Sequence, residues 1–153
     1  MIYILRGCSG SGKSTLANSL TYGGMKIPLV EADDFFLGGE VFPKYQFDPK
    51  LLPQAHQWTR LEAERLLRRY GSVCIANTFT EKWEMAPYIE LAKKYKTELR
   101  ILEPSTPWAF DLEQLVVRNQ HGVPREIIEK QLARWTVLTN AERNYDFRTS
   151  PNE

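Results

Sequence analysis

The stretch that decides the fold is Met1-Ile2-Tyr3-Ile4-Leu5-Arg6, followed at once by Gly7-Cys8-Ser9-Gly10-Ser11-Gly12-Lys13-Ser14-Thr15. The first part is a short apolar strand, and the second is a complete G-x-x-x-x-G-K-S loop with a helical pattern after it. Glycines let such a loop curl so that its backbone N–H groups point inward at phosphate oxygens. The N-terminus of the following helix adds its positive dipole end. This order of strand, loop and helix predicts a binding site for a nucleoside triphosphate.

The polar side chains of the loop have predictable tasks. Lys13 can reach the β- and γ-phosphates, and the Ser14 hydroxyl can ligate Mg²⁺. The cofactors expected at this site are therefore ATP and Mg²⁺, although no base-reading motif is evident in the sequence. The loop residues expected to bind the nucleotide are Gly7, Cys8, Ser9, Gly10, Ser11, Gly12, Lys13, Ser14 and Thr15.

The composition is that of one soluble domain. The chain has 153 residues, 42% of them hydrophobic and 25% charged, and it contains no apolar run of membrane-spanning length or secretory leader. Cys8 and Cys74 form neither a disulfide framework nor a metal-binding spacing, so a reducing cytoplasm is the expected compartment. The net charge of +1 argues against a protein that grips long nucleic acid through many phosphate contacts. It permits one that grasps the end of a strand or a small metabolite.

Alternating strand and helix patterns predict an α/β fold of the P-loop type, a three-layer sandwich with a four- to five-stranded parallel sheet and a helical lid. Strands are predicted at Ile2–Leu5, Pro28–Ala32, Ser72–Thr78 and Thr97–Leu102. Helices are predicted at Ser14–Tyr22, from Asp48 to Tyr70 with a break at Pro53, at Glu81–Tyr95 with a break or second start at Pro87, at Phe110–Asn119 and at Glu126–Leu138. Residues 35–47 are predicted to form an irregular loop. We expect residues 1–139 to form the domain, with the lid at about 110–130, and residues 140–153 to be a loosely held polar tail.

Two neighbouring carboxylates favour a kinase over other P-loop proteins. No N-K-x-D guanine-reading motif is present, and the chain is too short for the core of an oligomeric motor ATPase. The third predicted strand ends in Asn77-Thr78-Phe79, where a Walker B strand would end in an acidic residue. Asp33 and Asp34 instead follow the second strand, a placement typical of small P-loop kinases. Such a carboxylate can orient the acceptor hydroxyl and take its proton, and we assign this base to Asp33, with Asp34 near a magnesium-bound water.

Several longer segments resemble the polynucleotide-kinase-like P-loop domain, and together they span nearly the whole chain. These segments are LRGCSGSGKSTLA, EADDFF, YQFDPKLLPQAHQW, WEMAPYIELA and LEPSTPWAFDLEQLVVRNQHGVPREII. The resemblance implies phosphoryl transfer from ATP to the 5′-hydroxyl of DNA or RNA. It implies that Asp33 is the general base and that Lys13 and Ser14 serve the phosphates and the metal. It also implies that Arg118, in VVRNQHG, is the lid residue that stabilises charge on the phosphates, with Arg125 as a second candidate.

The expected substrate contacts are Asp33, Asp34, Phe36 and Thr78. The chain departs from the family at two positions of the acceptor pocket, because Phe36 replaces an arginine and Phe79 replaces an asparagine. Both changes remove polar groups, so a small acceptor such as a nucleoside, nucleotide, sugar or antibiotic hydroxyl stays open as an alternative. A second alternative is a non-catalytic ATP-binding or ATPase module. The sequence leaves the choice between DNA and RNA and the oligomeric state open.

Overall fold

A computed structural model describes residues 1–36 and 48–149. Residues 37–47, most of the predicted irregular loop, and residues 150–153 lie outside the described ranges. Within those ranges, no helix combines the length and the apolar character needed to span a bilayer.

The described residues form a mostly parallel five-stranded sheet, whose strands are β1 (Ile2–Arg6), β4 (Leu29–Glu31), β5 (Val73–Asn77), β6 (Glu98–Leu102) and β7 (Asn144–Asp146). Their order in the sheet is β4-β5-β1-β6-β7. The flanking helices are α1 (Lys13–Ser19), α2 (Leu52–Tyr70), α3 (Ala86–Lys94), α4 (Leu112–Arg118) and α5 (Arg125–Arg134). β1 lies at the centre, where Ile4 pairs in parallel with Ile75 on β5 and with Ile101 on β6. The predicted α/β P-loop fold is therefore confirmed.

The core lies on both faces of the sheet because alternate strand residues point to opposite sides. Ile2 and Ile4 pack with residues of α2 and α3 on one face, whereas Leu5 packs with Ala17 of α1 on the other. A third cluster joins Cys8 of the phosphate loop to residues of α4 and α5. Each fully buried large aliphatic side chain of this kind contributes about 1.5–3 kcal/mol to folding. The phosphate loop is thus packed against the core from the lid side as well.

The helix boundaries at the prolines follow the sequence signals. The Asp48 side chain accepts a hydrogen bond from Lys50 N at 3.0 Å, which starts a 3-10 turn before α2. Pro53 lies in the first turn of α2, where its missing N–H costs nothing. Pro87 likewise starts α3 after a separate 3-10 turn. The predicted N-cap and both predicted breaks are confirmed.

Two predicted segments differ from the structure. The first helix ends at Ser19, not at Tyr22, because β2 (Thr21–Tyr22) and β3 (Met25–Lys26) form an exposed hairpin. Gly23 and Gly24 close this hairpin with φ of +61° and +78°, a conformation that two consecutive glycines favour over helix.

The expectation of a loose tail is wrong for residues 140–149. β7 pairs antiparallel with β6, and Phe147 N donates to Thr97 O at 3.2 Å. Tyr145 and Phe147 pack against the main core cluster and cover that edge of the sheet. Two aromatic residues in a polar stretch thus contribute enough burial to hold the strand. The domain boundary at residue 139 stays a prediction.

Candidate active site

The phosphate loop curls as its glycines predict. Gly7 leaves the end of β1 and donates its N–H to Thr78 O at 3.2 Å, which joins the loop to the residue after β5. Gly10 and Gly12 have φ of +85° and +106°, in the left-handed region that glycine adopts without strain. The loop then turns directly into α1 at Lys13. It lies at the carboxyl end of the sheet, the edge at which ligands bind in α/β folds.

The Lys13 ammonium lies over its own loop. Its Nζ donates to Gly7 O at 2.6 Å and to Cys8 O at 3.1 Å. Burial lowers the pKa of Lys13 to about 8, while the nearby Glu31 and Asp33 carboxylates act in the opposite direction. A bound phosphate group would be a negatively charged partner for this desolvated ammonium and would stabilise its protonated form.

The residues at the start of α1 fit the Mg²⁺ predicted for the site. Ser14 and Thr15 are exposed and directly follow Lys13. Mg²⁺ keeps several water ligands and binds through few protein groups together with substrate phosphates. The Ser14 hydroxyl and the carboxylates near the end of β4 are the hard oxygen ligands that such an ion takes. Ser14 would hold the ion, and its role stays a prediction.

Asp33 lies in a 3-10 turn at Ala32–Phe36 that directly follows β4. Two hydrogen bonds hold this turn. Asp34 Oδ2 accepts from Glu31 N at 2.9 Å, and Asn77 Oδ1 accepts from Ala32 N at 2.9 Å. Asp34 therefore closes the turn, while its neighbour Asp33 is half-buried beside the end of β5. The role of Asp34 near a magnesium-bound water stays a prediction.

Glu31 is a charged residue of the site that sequence reasoning missed. It is the last residue of β4, it is half-buried, and its pKa is raised by burial and by the Asp34 and Asp33 carboxylates. Lys13 and His121 lower the pKa of Glu31, which places the lid histidine near the same acidic group. The signal in the sequence is a carboxylate two positions before Asp33. The sequence prediction includes only Asp33 and Asp34 among the acidic residues of this strand end.

The segment before α4 binds the carbonyl groups of the phosphate loop. Trp108 Nε1 donates to Gly10 O at 3.1 Å, and Thr106 Oγ1 donates to Ser11 O at 2.8 Å. Trp108 therefore contributes a hydrogen bond to the loop in addition to its packing in the third cluster.

Helices α4 and α5 also contact the loop directly. Ser9 N donates to Gln131 Oε1 at 2.9 Å, and Gln131 Nε2 donates back to Ser9 Oγ at 3.1 Å. A Cβ atom added to Gly10 would lie 2.6 Å from Leu115 O of α4. Only glycine fits here, because the loop approaches the backbone of α4 so closely. No short sequence motif predicts a role for Gln131, and only the fold places it beside Ser9.

The two lid arginines have different partners. The Arg118 guanidinium lies 3.7 Å from the centroid of the Trp108 ring, and its Nε donates to Gln114 Oε1 at 3.3 Å. Arg125 binds both carboxylate oxygens of Glu113 on α4 and also donates to Glu129 at 3.3 Å. Arg125 therefore connects α4 to α5, whereas Arg118 lies one aromatic ring away from the phosphate loop. Their proposed roles toward ATP stay predictions.

Arg6 is a fully buried residue that organises the end of β5. Its Nε donates to Phe79 O at 2.9 Å and its Nη2 to Thr80 O at 3.0 Å. Its Nη1 donates to Thr136 O at 2.8 Å and pairs with Glu103 at 3.1 Å. Burial lowers the pKa of Arg6, and Glu103 acts in the opposite direction. These bonds hold Phe79 at a φ of +46°, unusual for a bulky residue, and thereby fix the turn after Thr78.

The two phenylalanines that depart from the family pattern are packing residues. Phe36 is fully buried and lies edge-on against Phe35, with ring centroids 5.2 Å apart. Phe79 is buried against Tyr88, with ring centroids 5.8 Å apart. The burial of Phe36 does not support the substrate contact predicted for it. Thr78 is half-buried, and its backbone carbonyl accepts the Gly7 N–H.

Sequence comparison places the chain among known relatives. Residues 2–138 match the family described as AAA domain. NEDD4-binding protein 2 of Homo sapiens is 38% identical over 133 residues, which cover 86% of this chain and 7% of that protein. The 2′,3′-cyclic-nucleotide 3′-phosphodiesterase of Rattus norvegicus is 27% identical over 140 residues, which cover 84% of this chain and 30% of that protein. The chain thus spans a small part of the length of these relatives.

Solved structures show the same kinase-type fold. A chain of the Pnkp1/Rnl/Hen1 RNA repair complex superimposes with a TM-score of 0.70 at 21% identity, covering 98% of this chain and 49% of that chain. A sugar kinase from a Janibacter species gives 0.60 at 22% identity, covering 99% and 87%. A gluconokinase from Sinorhizobium meliloti gives 0.54 at 18% identity, covering 88% and 74%. With its phosphate loop, its mostly parallel sheet and a family match over nearly its whole length, the chain belongs to the AAA domain family and has the kinase-type P-loop fold.

Proposed function

We propose that this chain transfers the γ-phosphoryl group of ATP to a hydroxyl group, and that the acceptor is the 5′-hydroxyl end of DNA or RNA. The observation that carries the proposal is that Lys13, after β1, and Asp33, in the turn after β4, both follow the carboxyl ends of parallel strands at one edge of the sheet. A kinase needs a cation on the β- and γ-phosphates and a carboxylate at the acceptor hydroxyl. This site offers both at the carboxyl end of the sheet.

Each part of the site has a task in the proposed reaction. Loop N–H groups other than those of Gly7, Ser9 and Ser11, which donate to protein oxygens, hold the phosphates, and Lys13 leaves its loop carbonyls to bind phosphate oxygens. Asp33 orients the acceptor hydroxyl and takes its proton as the acceptor oxygen bonds to the γ-phosphorus and the bond to the β-phosphate oxygen breaks. Arg118 stabilises the negative charge on the phosphoryl group. Mg²⁺, held by Ser14, would neutralise the phosphate oxygens.

Two observations support a nucleic-acid end as the acceptor. Among the three superpositions, the chain from the RNA repair complex has the highest TM-score and covers nearly all of this chain. The rat relative is named for its action on 2′,3′-cyclic nucleotides, so it too acts on a nucleotide. The net charge of +1 permits contact with a strand end and permits a small acceptor equally.

A small hydroxyl acceptor such as a sugar is the second candidate. Phe36 and Phe79 are buried against other aromatic rings where the family pattern has polar groups. Two of the superimposed structures are sugar kinases that match 88% or more of this chain. An acceptor pocket with fewer polar groups favours a compact acceptor over a phosphodiester strand.

Transfer of label from γ-labelled ATP with Mg²⁺ tests the proposal. The acceptors are 5′-hydroxyl DNA and RNA oligonucleotides, mononucleotides, nucleosides and gluconate, and the Asp33→Ala protein is the control. Label on an oligonucleotide 5′ end that is lost in the control supports a polynucleotide kinase. Label only on a small acceptor supports the second candidate. Release of labelled phosphate with no labelled acceptor would contradict kinase function and indicate an ATPase module.

A further inference from the structure

We propose that Asn77 binds the acceptor substrate, and that its side-chain nitrogen donates a hydrogen bond to an oxygen atom of the acceptor next to the hydroxyl that is phosphorylated. This inference rests on the proposed kinase function and adds a residue to the acceptor site. Neither the phosphate-loop motif nor the pair of aspartates points to Asn77.

The two ends of the Asn77 amide have different surroundings. Oδ1 accepts the Ala32 N–H at 2.9 Å, and because an N–H group can only donate, the oxygen must face Ala32. Nδ2 is buried and has no hydrogen-bond partner. Buried polar groups are nearly always paired, since an unpaired donor costs free energy in the folded state. An unpaired donor in the candidate site is explained if a ligand pairs with it.

A second unpaired atom lies in the same site. Within residues 1–36 and 48–149, the buried side-chain N and O atoms without a partner are Ser11 Oγ and Asn77 Nδ2. Ser11 belongs to the phosphate loop, and its Oγ lies 2.5 Å from the position that a Cβ atom on Gly7 would occupy. Both unpaired atoms therefore belong to elements that meet at the carboxyl end of β1 and β5, as expected of a site that is completed by its ligands.

The position of Asn77 points to the acceptor and not to the nucleotide. β5 lies between β1, which leads into the phosphate loop, and β4, which leads into the Asp33 turn. The Asn77 oxygen holds Ala32, the residue directly before Asp33. The amide of Asn77, at the end of β5, is therefore joined to the turn that carries the proposed base. Asn77 also replaces the acidic residue of a Walker B strand, so it supplies a donor to the acceptor where a carboxylate would only accept.

The Asn77→Asp variant tests the oxygen and the nitrogen of the amide separately. The aspartate keeps an oxygen for Ala32 N but replaces the donor with a second acceptor. We expect the KM for a 5′-hydroxyl oligonucleotide to rise about tenfold or more, which corresponds to the loss of one useful hydrogen bond. We expect the Kd for ATP to stay within about twofold and the Tm to stay close to that of the wild type. Asn144→Asp is the matched control, because Asn144 is exposed on β7 and receives the same change of charge.

Asn77→Ala removes the donor without adding charge. We expect it to raise the KM for the oligonucleotide as the aspartate does, and also to lower the Tm because the bond to Ala32 is lost. If only Asn77→Asp raises the KM, the added charge is the cause and the inference is wrong. It is also wrong if either variant weakens ATP binding as much as acceptor binding, or if only the Tm falls, since the nitrogen would then serve the nucleotide or a buried water. Wild-type protein that labels no acceptor would refute the proposed function itself, whereas active wild type with unchanged Asn77 variants refutes this inference alone.

Discussion

Arg118 stacks on Trp108, with 3.7 Å between the guanidinium carbon and the centroid of the indole ring. The same indole donates its N–H to Gly10 O of the phosphate loop at 3.1 Å. A cation over an aromatic face is stabilised by the electrostatics of the ring, by about 0.5–1 kcal/mol when exposed. Arg118 is therefore held one side chain away from the phosphate site by an interaction weak enough to exchange for a phosphate group.

The two lid arginines should differ in their effect on transfer. We expect Arg118→Ala to lower kcat by about 10²–10³, because an arginine on the transferring phosphoryl group is worth that much or more. Arg125→Ala should change kcat by less than about threefold, since its guanidinium binds Glu113 and Glu129. Single-turnover transfer from ATP measures both. Equal losses in the two variants would contradict the assignment of Arg118.

Substitutions of the two aspartates of the turn should also have different effects, one on transfer and the other on stability. Asp33→Ala should lower kcat by about 10²–10⁴, the range for a general base, and leave the Kd for ATP within about twofold. Asp34→Ala should instead lower stability by about 1–3 kcal/mol, because Glu31 N loses its charged partner at 2.9 Å. Transfer kinetics and urea unfolding of both variants test this pair. Near-normal transfer by Asp33→Ala would show that the base is another residue.

Nucleotide binding should take up a proton at alkaline pH. The pKa of Lys13 is lowered to about 8, chiefly by burial, so above this pH the free protein loses a proton that phosphate binding favours. We expect ATP affinity to fall as pH rises above 8, and binding at pH 8.5 to take up roughly half a proton or more. The unfolded chain keeps this proton until about pH 10.5, so the stability of the free protein should rise between pH 8 and 10.5.

Calorimetry in two buffers of different ionisation enthalpy measures the uptake of that proton. Lys13→Arg is the control because arginine stays protonated throughout this range. Equal apparent enthalpies for the wild type in the two buffers would contradict the prediction.

Gly10→Ala and Gly23→Ala distinguish close packing from backbone conformation. Both glycines have positive φ, but a Cβ atom on Gly10 would lie 2.6 Å from Leu115 O, and one on Gly23 would meet nothing within 4 Å. We expect Gly23→Ala to cost about 1–2 kcal/mol of stability, the backbone penalty alone. Gly10→Ala should cost more and should weaken ATP binding at least about tenfold. Thermal unfolding and ATP titration measure both, and similar stability losses would show that α4 yields to the added atom.

The elements that the sequence predicted well are those with strong local signals. The phosphate loop, the buried strands and the prolines that start α2 and α3 each depend on residues that are neighbours in the chain. The hairpin at Thr21–Lys26 and the strand β7 were missed because both are short. β7 in addition is held by contacts with β6, which lies more than forty residues earlier.

The residues of the candidate site divide in the same way, into those with a local sequence signal and those that only the fold brings together. Lys13 and Asp33 were predicted from local sequence, and both follow strands that end at the same edge of the sheet. Arg6, Gln131 and Asn77 were missed because each acts through partners that only the fold supplies. A buried arginine at the end of a strand and a glutamine on an amphipathic helix have ordinary surroundings in the sequence. The substrate contact predicted for Phe36 lacks support for the related reason that local sequence did not reveal its burial.

Four hydrogen bonds join the outward side of the phosphate loop to residues 106–131, through Trp108, Thr106 and Gln131. The phosphate loop and the predicted lid are consequently joined to each other by hydrogen bonds. Helices α4 and α5 cannot lift away as a hinged flap unless these bonds break or the loop travels with them. The rate at which spent nucleotide leaves should then depend on Gln131 and Trp108 as much as on the groups that touch phosphate. Under the proposed function, the turnover rate would therefore depend on contacts behind the phosphate loop as well as on the groups that bind the phosphates.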